Sequence, residues 1–125
     1  MAHILIVEKD IFLAKVYQVK LKKGGYTSDI VLDGTSAIEY LGKKRPDAII
    51  TGLVTPNQDG FALLEFVKGN ESLQHVPVIV ISNLGQTEDV EKVMNLGAKK
   101  YFKKRHVTLD EVKSAVDEIF NQKSS

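Results

Sequence analysis

Short apolar runs alternate with segments of helical period along the whole chain. Ile4-Leu5-Ile6-Val7, Ala48-Ile49-Ile50 and Val78-Ile79-Val80-Ile81 are nearly unbroken in apolar character. Strands buried on both faces read this way, because a parallel sheet is covered by helices on each side. Ile30-Val31-Leu32 and Tyr101-Phe102 are more mixed and are placed toward the sheet edges. Between these runs, side chains recur at three- and four-residue spacing, which puts them on one helix face. Leu13, Val16, Tyr17, Lys20 and Leu21 predict a first helix, ended by Gly24-Gly25. Asp33-Gly34 opens a second, carried by Ala37, Ile38 and Leu41, and Gln58-Asp59-Gly60 leads into a third with Leu63, Phe66 and Val67. Val90, Val93 and Met94 mark a fourth, with Glu88 and Asp89 at its positive end and Gly97 as its C-cap. Thr108-Leu109-Asp110-Glu111 has the pattern of a capping box. It opens a fifth helix whose apolar side is Leu109, Val112, Val116, Ile119 and Phe120.

Five β-α units joined by short connections predict an α/β fold. Right-handed crossovers turn such a chain into a doubly wound, five-stranded parallel sheet with helices on both faces, a three-layer sandwich. Residues 1–121 are read as one domain and 122–125 as a polar tail, with no output domain expected after it. No internal repeat or low-complexity segment interrupts the pattern.

Composition narrows the function. A chain of 125 residues buries roughly two-thirds of its unfolded surface as a single domain, so it needs neither disulfides nor a structural metal. The absence of cysteine removes thiol nucleophiles and thiolate zinc sites together. A formal charge of +1 gives no global attraction to nucleic acid or to a membrane surface. No apolar run approaches the ~20 residues that span a bilayer, and the start runs straight into an apolar strand with no basic leader. The expectation is a cytoplasmic protein with no nucleic acid of its own and no membrane partner. Any electrostatic function must then be local.

In doubly wound sheets, ligands bind beyond the carboxyl ends of the strands, where strand order reverses. Glu8-Lys9-Asp10, Gly52 to Gly60, Ser82-Asn83 and Lys103-Lys104-Arg105 fall there. These pieces carry a resemblance. Ile4-Leu5-Ile6-Val7-Glu8 is similar to the first strand and acidic turn of a response-regulator receiver domain. Pro46-Asp47-Ala48-Ile49-Ile50 with Pro56-Asn57-Gln58-Asp59-Gly60-Phe61 resembles its third strand and following loop. Val76 to Ser82 resembles the fourth strand with its switch hydroxyl, and Gly97 to Lys104 the fifth with its lysine. The match runs from about residue 3 to 120. It is the ordered set, more than any one piece, that is specific.

The resemblance implies the strand order 2-1-3-4-5 and a phosphorylation site. A working receiver has two acids after strand one, an acceptor aspartate ending strand three, a Ser or Thr after strand four and a lysine after strand five. The acids hold Mg²⁺, a hard cation that wants oxygen ligands, and metal and lysine neutralise the transferred phosphoryl group. The matching positions are Glu8, Lys9, Gly52, Ser82 and Lys104, with Tyr101 as the switch aromatic. Two of the five break the pattern. Gly52 offers no side chain for an acyl phosphate, and Lys9 stands where a direct metal ligand belongs. The charged members carry +1 in place of the family's −2. Two unit charges ~4 Å apart interact by about 4 kcal/mol at an effective dielectric near 20, so Mg²⁺ binding is expected to be lost or very weak. The Lys9 ammonium is expected to stand near the cation's place, paired with Glu8. Arg105 replaces the family's proline, which argues against a cis peptide after Lys104 and leaves the direction of Lys104 open.

Plainer readings stand beside these. Glu8 and Lys9 also read as a solvated pair opening a helix, Asp10 as an N-cap, Gly52 as a tight strand exit and Ser82 as a capping hydroxyl. Thr51 and Thr55 flank Gly52, but alternation along the strand turns Thr51 away, and neither is expected to replace the acceptor. His3, His75 and His106 lack ligand spacing and are assigned structural or surface roles. Lys99, Lys100, Lys103 and Arg105, with Lys104 and His106, form the one pronounced basic cluster. It reads either as a solvated face or as a docking surface for an acidic partner.

The functional expectation is a degenerate, non-enzymatic pseudo-receiver of a two-component phosphorelay, without cofactor. It would act on signalling proteins, a kinase or a downstream regulator, through contact, with a weak dimer allowed. Two alternatives remain open. One is an ordinary phosphorylatable single-domain regulator whose acceptor site carries substitutions. The other is a flavodoxin-like cofactor protein, for which Glu8-Lys9-Asp10-Ile11 is a poor phosphate loop. A milder variant is an anion held between Lys9 and Lys104.

Overall fold

β-branched and leucine side chains fill the central strands because both faces of each are covered. The computed structural model of the protein describes residues 2–53, 60–83 and 87–121. In it β1 (His3–Val7), β3 (Ala48–Thr51) and β4 (Val78–Ser82) lie between the edge strands β2 (Thr27–Val31) and β5 (Lys100–Lys103). All pairs are parallel, in the order β2-β1-β3-β4-β5. The predicted architecture is the one observed. Side-chain alternation divides the core in two. Leu5, Val7, Ile49, Val78 and Val80 pack against α2 (Gly34–Leu41), α3 (Gly60–Lys68) and α4 (Thr87–Asn95). Ile4, Ile6, Ile50, Ile79 and Ile81 pack against α1 (Ile11–Lys23) and α5 (Leu109–Asn121) on the other face.

Helix boundaries follow local chemistry. The Asp10 carboxylate accepts the N–H groups of Phe12 and Leu13, and that of Asp33 accepts Ser36 N–H, capping α1 and α2. The capping box of α5 is reciprocal: Glu111 N–H donates to Thr108 Oγ1 and Thr108 N–H to Glu111 Oε1, both at 3.1 Å. Gly97 follows α4 at φ +100°, a conformation that suits glycine. Gln58, Asp59, Thr55 and the tail from 122 lie outside the described residues, as does the side chain of Glu88.

Three sequence expectations are corrected. The second strand was expected at Ile30–Leu32 but runs Thr27–Val31, and Leu32 is exposed. An edge strand lines solvent along one side, so Thr27, Ser28 and Asp29 fit it despite their polarity. His3 bridges this edge, its Nδ1 2.6 Å from Thr27 Oγ1 and its Nε2 2.9 Å from Asp29, which also accepts the Tyr40 hydroxyl. On α1 the inward stripe is Ala14, Tyr17 and Leu21, and Val16 faces out. On α4, Val93 is buried whereas Met94 is exposed.

α3 begins pressed against the exit of β3. Gly60 N–H donates to Leu53 O at 2.8 Å. A Cβ on Gly60 would lie 2.2 Å from Gly52 O and 2.7 Å from Leu53 Cα, both backbone atoms that cannot step aside. Gly60→Ala is therefore expected to destabilise the fold by about 1–3 kcal/mol through overpacking. Urea unfolding would show it as a lowered midpoint at unchanged slope, and an unchanged midpoint would contradict the close approach.

Candidate functional site

The carboxyl ends of β1, β3, β4 and β5 bring together the turn after Val7, the exit at Gly52, Ser82 and the turn after Lys103. Glu8 leaves β1 with its N–H bonded to Val31 O, and its side chain is buried. Lys104 leaves β5 with its N–H bonded to Ser82 O at 3.1 Å. From there its Nζ reaches 2.5 Å from Glu8 Oε1, the side chains being 25% and 8% exposed respectively. The other carboxylate oxygen, Oε2, accepts Asp10 N–H at 3.1 Å. Tyr17, on the buried side of α1, has its hydroxyl pKa pushed up to about 12 by burial, with the negative charge of Glu8 adding to it.

This geometry corrects the expected role of Lys9. Its side chain is exposed, and Glu8 is paired with Lys104. The reason is directional. Residue 8 ends the buried strand and points into the sheet's end, whereas residue 9 sits in the turn before the cap of α1 and points to solvent. The direction of Lys104, open in the sequence, is settled toward Glu8. There is no cis peptide among the described residues, as the replacement of proline by Arg105 suggested. An anion shared by Lys9 and Lys104 would have to compete with the Glu8 carboxylate for the Lys104 ammonium.

Gly52 is not required by the backbone. The described glycines with positive φ are Gly25 and Gly97. Among the described residues, a Cβ at Gly52 would meet only Ile81 O, at an ordinary 3.4 Å. The reading of Gly52 as a strand exit that demands glycine is therefore not upheld: the position could carry a side chain and does not. Thr51 is buried, with its hydroxyl donating to Gly52 O at 3.0 Å, and so is not presented as an acceptor. Ser82 is buried, and the Tyr101 hydroxyl lies 3.5 Å from its carbonyl oxygen. Tyr101 is half-buried, its pKa raised by burial and then by Asp89.

A magnesium ion would need several oxygen ligands. Glu8 supplies one carboxylate with both oxygens engaged, Asp10 spends its own on the N-terminus of α1, and Gly52 supplies no side chain. Among the described residues no three of His, Asp and Glu converge as a metal site would require. Among the described residues the donor set does not fit the ion.

The second expected surface is less uniform than its sequence. Lys99, Lys100, Lys103 and Arg105 are exposed, but Lys104 is turned inward. Lys100 lies 4.0 Å from Glu118 and 5.8 Å from the Phe102 ring. The recess between β5 and α5 is lined by Asp110, Glu111 and Glu118 as well as Lys100. The basic cluster is therefore flanked by acids from α5. The sequence reading missed a larger feature, the outward face of α1, where Phe12, Val16 and Val19 are exposed at four- and three-residue spacing. Of the three, Val16 alone was read, as part of the core stripe.

Comparison with known proteins supplies the remaining observations. A family model for the response regulator receiver domain matches residues 4–117. "Probable transcriptional regulator ycf29" of Porphyra purpurea is 34% identical over 102 residues, 82% of this chain and 49% of that protein. The chain thus spans about half the length of that relative. "Polar-differentiation response regulator DivK" of Brucella anthropi is 25% identical over 101 residues and is covered to 82%. The signal receiver domain of a signal transduction histidine kinase from Syntrophus aciditrophicus superposes with a TM-score of 0.89 at 30% identity, covering 98% of this chain and 92% of that one.

Proposed function

This chain belongs to the response regulator receiver domain family, and from that premise we propose that it is a pseudo-receiver: a two-component signalling module that works through protein contact, without aspartyl phosphate. One observation carries the reading. The acceptor position is Gly52, where the described residues leave ordinary room for a Cβ, and the lysine that would steady a phosphoryl group is engaged by Glu8. Magnesium binding is lost or very weak in this reading, because position 9 supplies no carboxylate and the single one, Glu8, is already occupied by Lys104. The domain has no catalytic role. Its partners are signalling proteins, a kinase or a downstream regulator, which favour one of its conformations over another. The exposed cations Lys99, Lys100, Lys103 and Arg105 steer an acidic partner toward the β5 edge. No helix among the described residues is long and apolar enough to cross a membrane.

Exposure to acetyl phosphate, or to beryllofluoride, with Mg²⁺ tests the reading. No mass increment and no saturable NMR shifts at Glu8, Ser82 and Lys104 are expected. A stoichiometric phosphoryl adduct would overturn it in favour of an ordinary phosphorylatable regulator.

A further inference from the structure

The end of the sheet opposite Glu8 and Gly52 carries a second concentration of positive charge. Helix α3 ends at Lys68, and the turn after it folds back on itself, with the N–H groups of Leu73 and Gln74 donating to Asn70 O and that of Val76 to Leu73 O. The turn sets two carbonyl groups before the Lys68 ammonium, which donates to Gln74 O at 3.2 Å and to Val76 O at 3.4 Å. The lysine stem passes over Gly97, where a Cβ would come 2.9 Å from its Cε. Lys68 is thus held in place. An ammonium has three N–H donors, so one remains for a further acceptor. Burial holds the Lys68 pKa below the ordinary lysine range, which means that its charge is poorly solvated where it stands. Beside it opens a recess of about 340 Å³, with Lys68, Lys99, Gln74 and His75 as polar lining and Pro77 and Ile119 as apolar lining. Its lining includes no acid, and among the described residues neither Lys68 nor Lys99 has a carboxylate partner. Glu118, which shares a smaller neighbouring recess with Lys99, lies 4.0 Å from Lys100 instead.

We propose that this recess binds a small phosphate monoester, its phosphate oxygens meeting Lys68 and Lys99 and its organic part lying against Pro77 and Ile119. Such binding goes beyond contact-driven signalling and does not depend on it. Charge selects the phosphate. A monoester carries about −1.5 to −2 at neutral pH, which matches two ammonium groups that a single carboxylate would leave half compensated. Size and layout select a small molecule. The volume lies at the lower end of the range for small-ligand pockets, whereas a nucleic-acid strand needs cations that track its backbone along a groove. Of the exposed cluster Lys99, Lys100, Lys103 and Arg105, only Lys99 lines the recess. Position separates the site from the acceptor end. Val78 opens β4 four residues before Ser82, about 13 Å along the strand.

Phenyl phosphate titrated into the labelled domain at low ionic strength tests the site. Saturable NMR shifts are expected at Lys68, His75, Gly97 and Lys99, fading as sodium chloride is added. Inorganic phosphate should move the same signals at about fivefold lower affinity, because it lacks the ring that covers Pro77 and Ile119. Lys99→Met should weaken phenyl phosphate binding about tenfold or more, the worth of one charge-assisted hydrogen bond. Lys68→Met should abolish saturation. That variant also loses two hydrogen bonds within the fold, so circular dichroism accompanies it. Lys99 is exposed, and its variant decides the matter if the other unfolds. Shifts of equal size at Lys22 and Lys23 on α1 would show a general attraction of anions to lysine and overturn the site. Unchanged affinity in Lys99→Met, or equal affinity for phosphate and phenyl phosphate, would overturn it too. Shifts confined to Glu8, Ser82 and Lys104 would place the anion at the opposite end of the sheet and leave the recess without its ligand.

Discussion

Lys104→Met is expected to cost about 3 kcal/mol of stability, the lower end of the range for breaking a buried ion pair by removing one partner. The figure follows from asymmetry. Glu8 is 8% exposed, so without Lys104 its carboxylate keeps, among the described residues, the Asp10 N–H alone in a poorly solvated place. The quarter exposure of Lys104 admits some water to the vacated position, which is why the lower end applies. Adding Glu8→Gln should return most of the loss, because removing both charges also removes the desolvation that the pair has to offset. A double-mutant cycle in urea therefore gives a coupling well above the 0.2–1 kcal/mol of exposed pairs. A surface pair would also weaken with salt, and this one should change little between low and moderate ionic strength. Coupling below about 1 kcal/mol would show that the Glu8–Lys104 contact is incidental, and would remove the main support for a site closed from within.

What could be read in the sequence divides along physical lines. The architecture was legible because it depends on burial. Ile4–Val7 and Val78–Ile81 have no polar break, and only a two-sided parallel sheet accommodates them so. The caps Asp10, Asp33 and Thr108 were legible because each is a local interaction within three residues. The polar half of β2 was not, since an edge strand tolerates Thr27-Ser28-Asp29 and its ladder partner lies on β1, 24 residues away in sequence for the His3–Thr27 contact. The five site positions were legible only through family resemblance and their ordered spacing. Which lysine meets Glu8 was not, because Lys9 is adjacent in sequence while Lys104 is 96 residues distant. Proximity along the chain favoured the wrong partner; the parallel sheet, by aligning the ends of β1 and β5 on one edge, decides for the other. Val16 on α1 was misread for a related reason. Periodicity reports that apolar residues share a face, not whether that face meets the core.

Converting Lys9 and Gly52 together to aspartate should turn a domain that takes up no phosphoryl group into one that takes up a single group, dependent on Mg²⁺. Among the described residues space permits it: the Cβ of residue 52 meets nothing closer than Ile81 O at 3.4 Å, and the backbone there is not left-handed. Charge permits it as well. The double change takes the charged side chains of the site from +1 to −2, and gives a divalent cation three carboxylates where it had one. It also gives Lys104 a second carboxylate, so that Glu8 no longer holds it alone and its ammonium can meet a phosphoryl oxygen. Gly52→Asp by itself should be far less reactive, because position 9 still supplies no carboxylate to the metal. Intact mass after incubation with acetyl phosphate, with and without EDTA, reads both variants directly. If Gly52→Asp alone is phosphorylated as readily as the double variant, the carboxylate missing at position 9 does not limit the site and that half of the case fails. If the folded double variant stays unmodified, two residues do not account for the loss of chemistry. The cause must then lie in the rest of the site, with the Glu8–Lys104 clasp the first place to look.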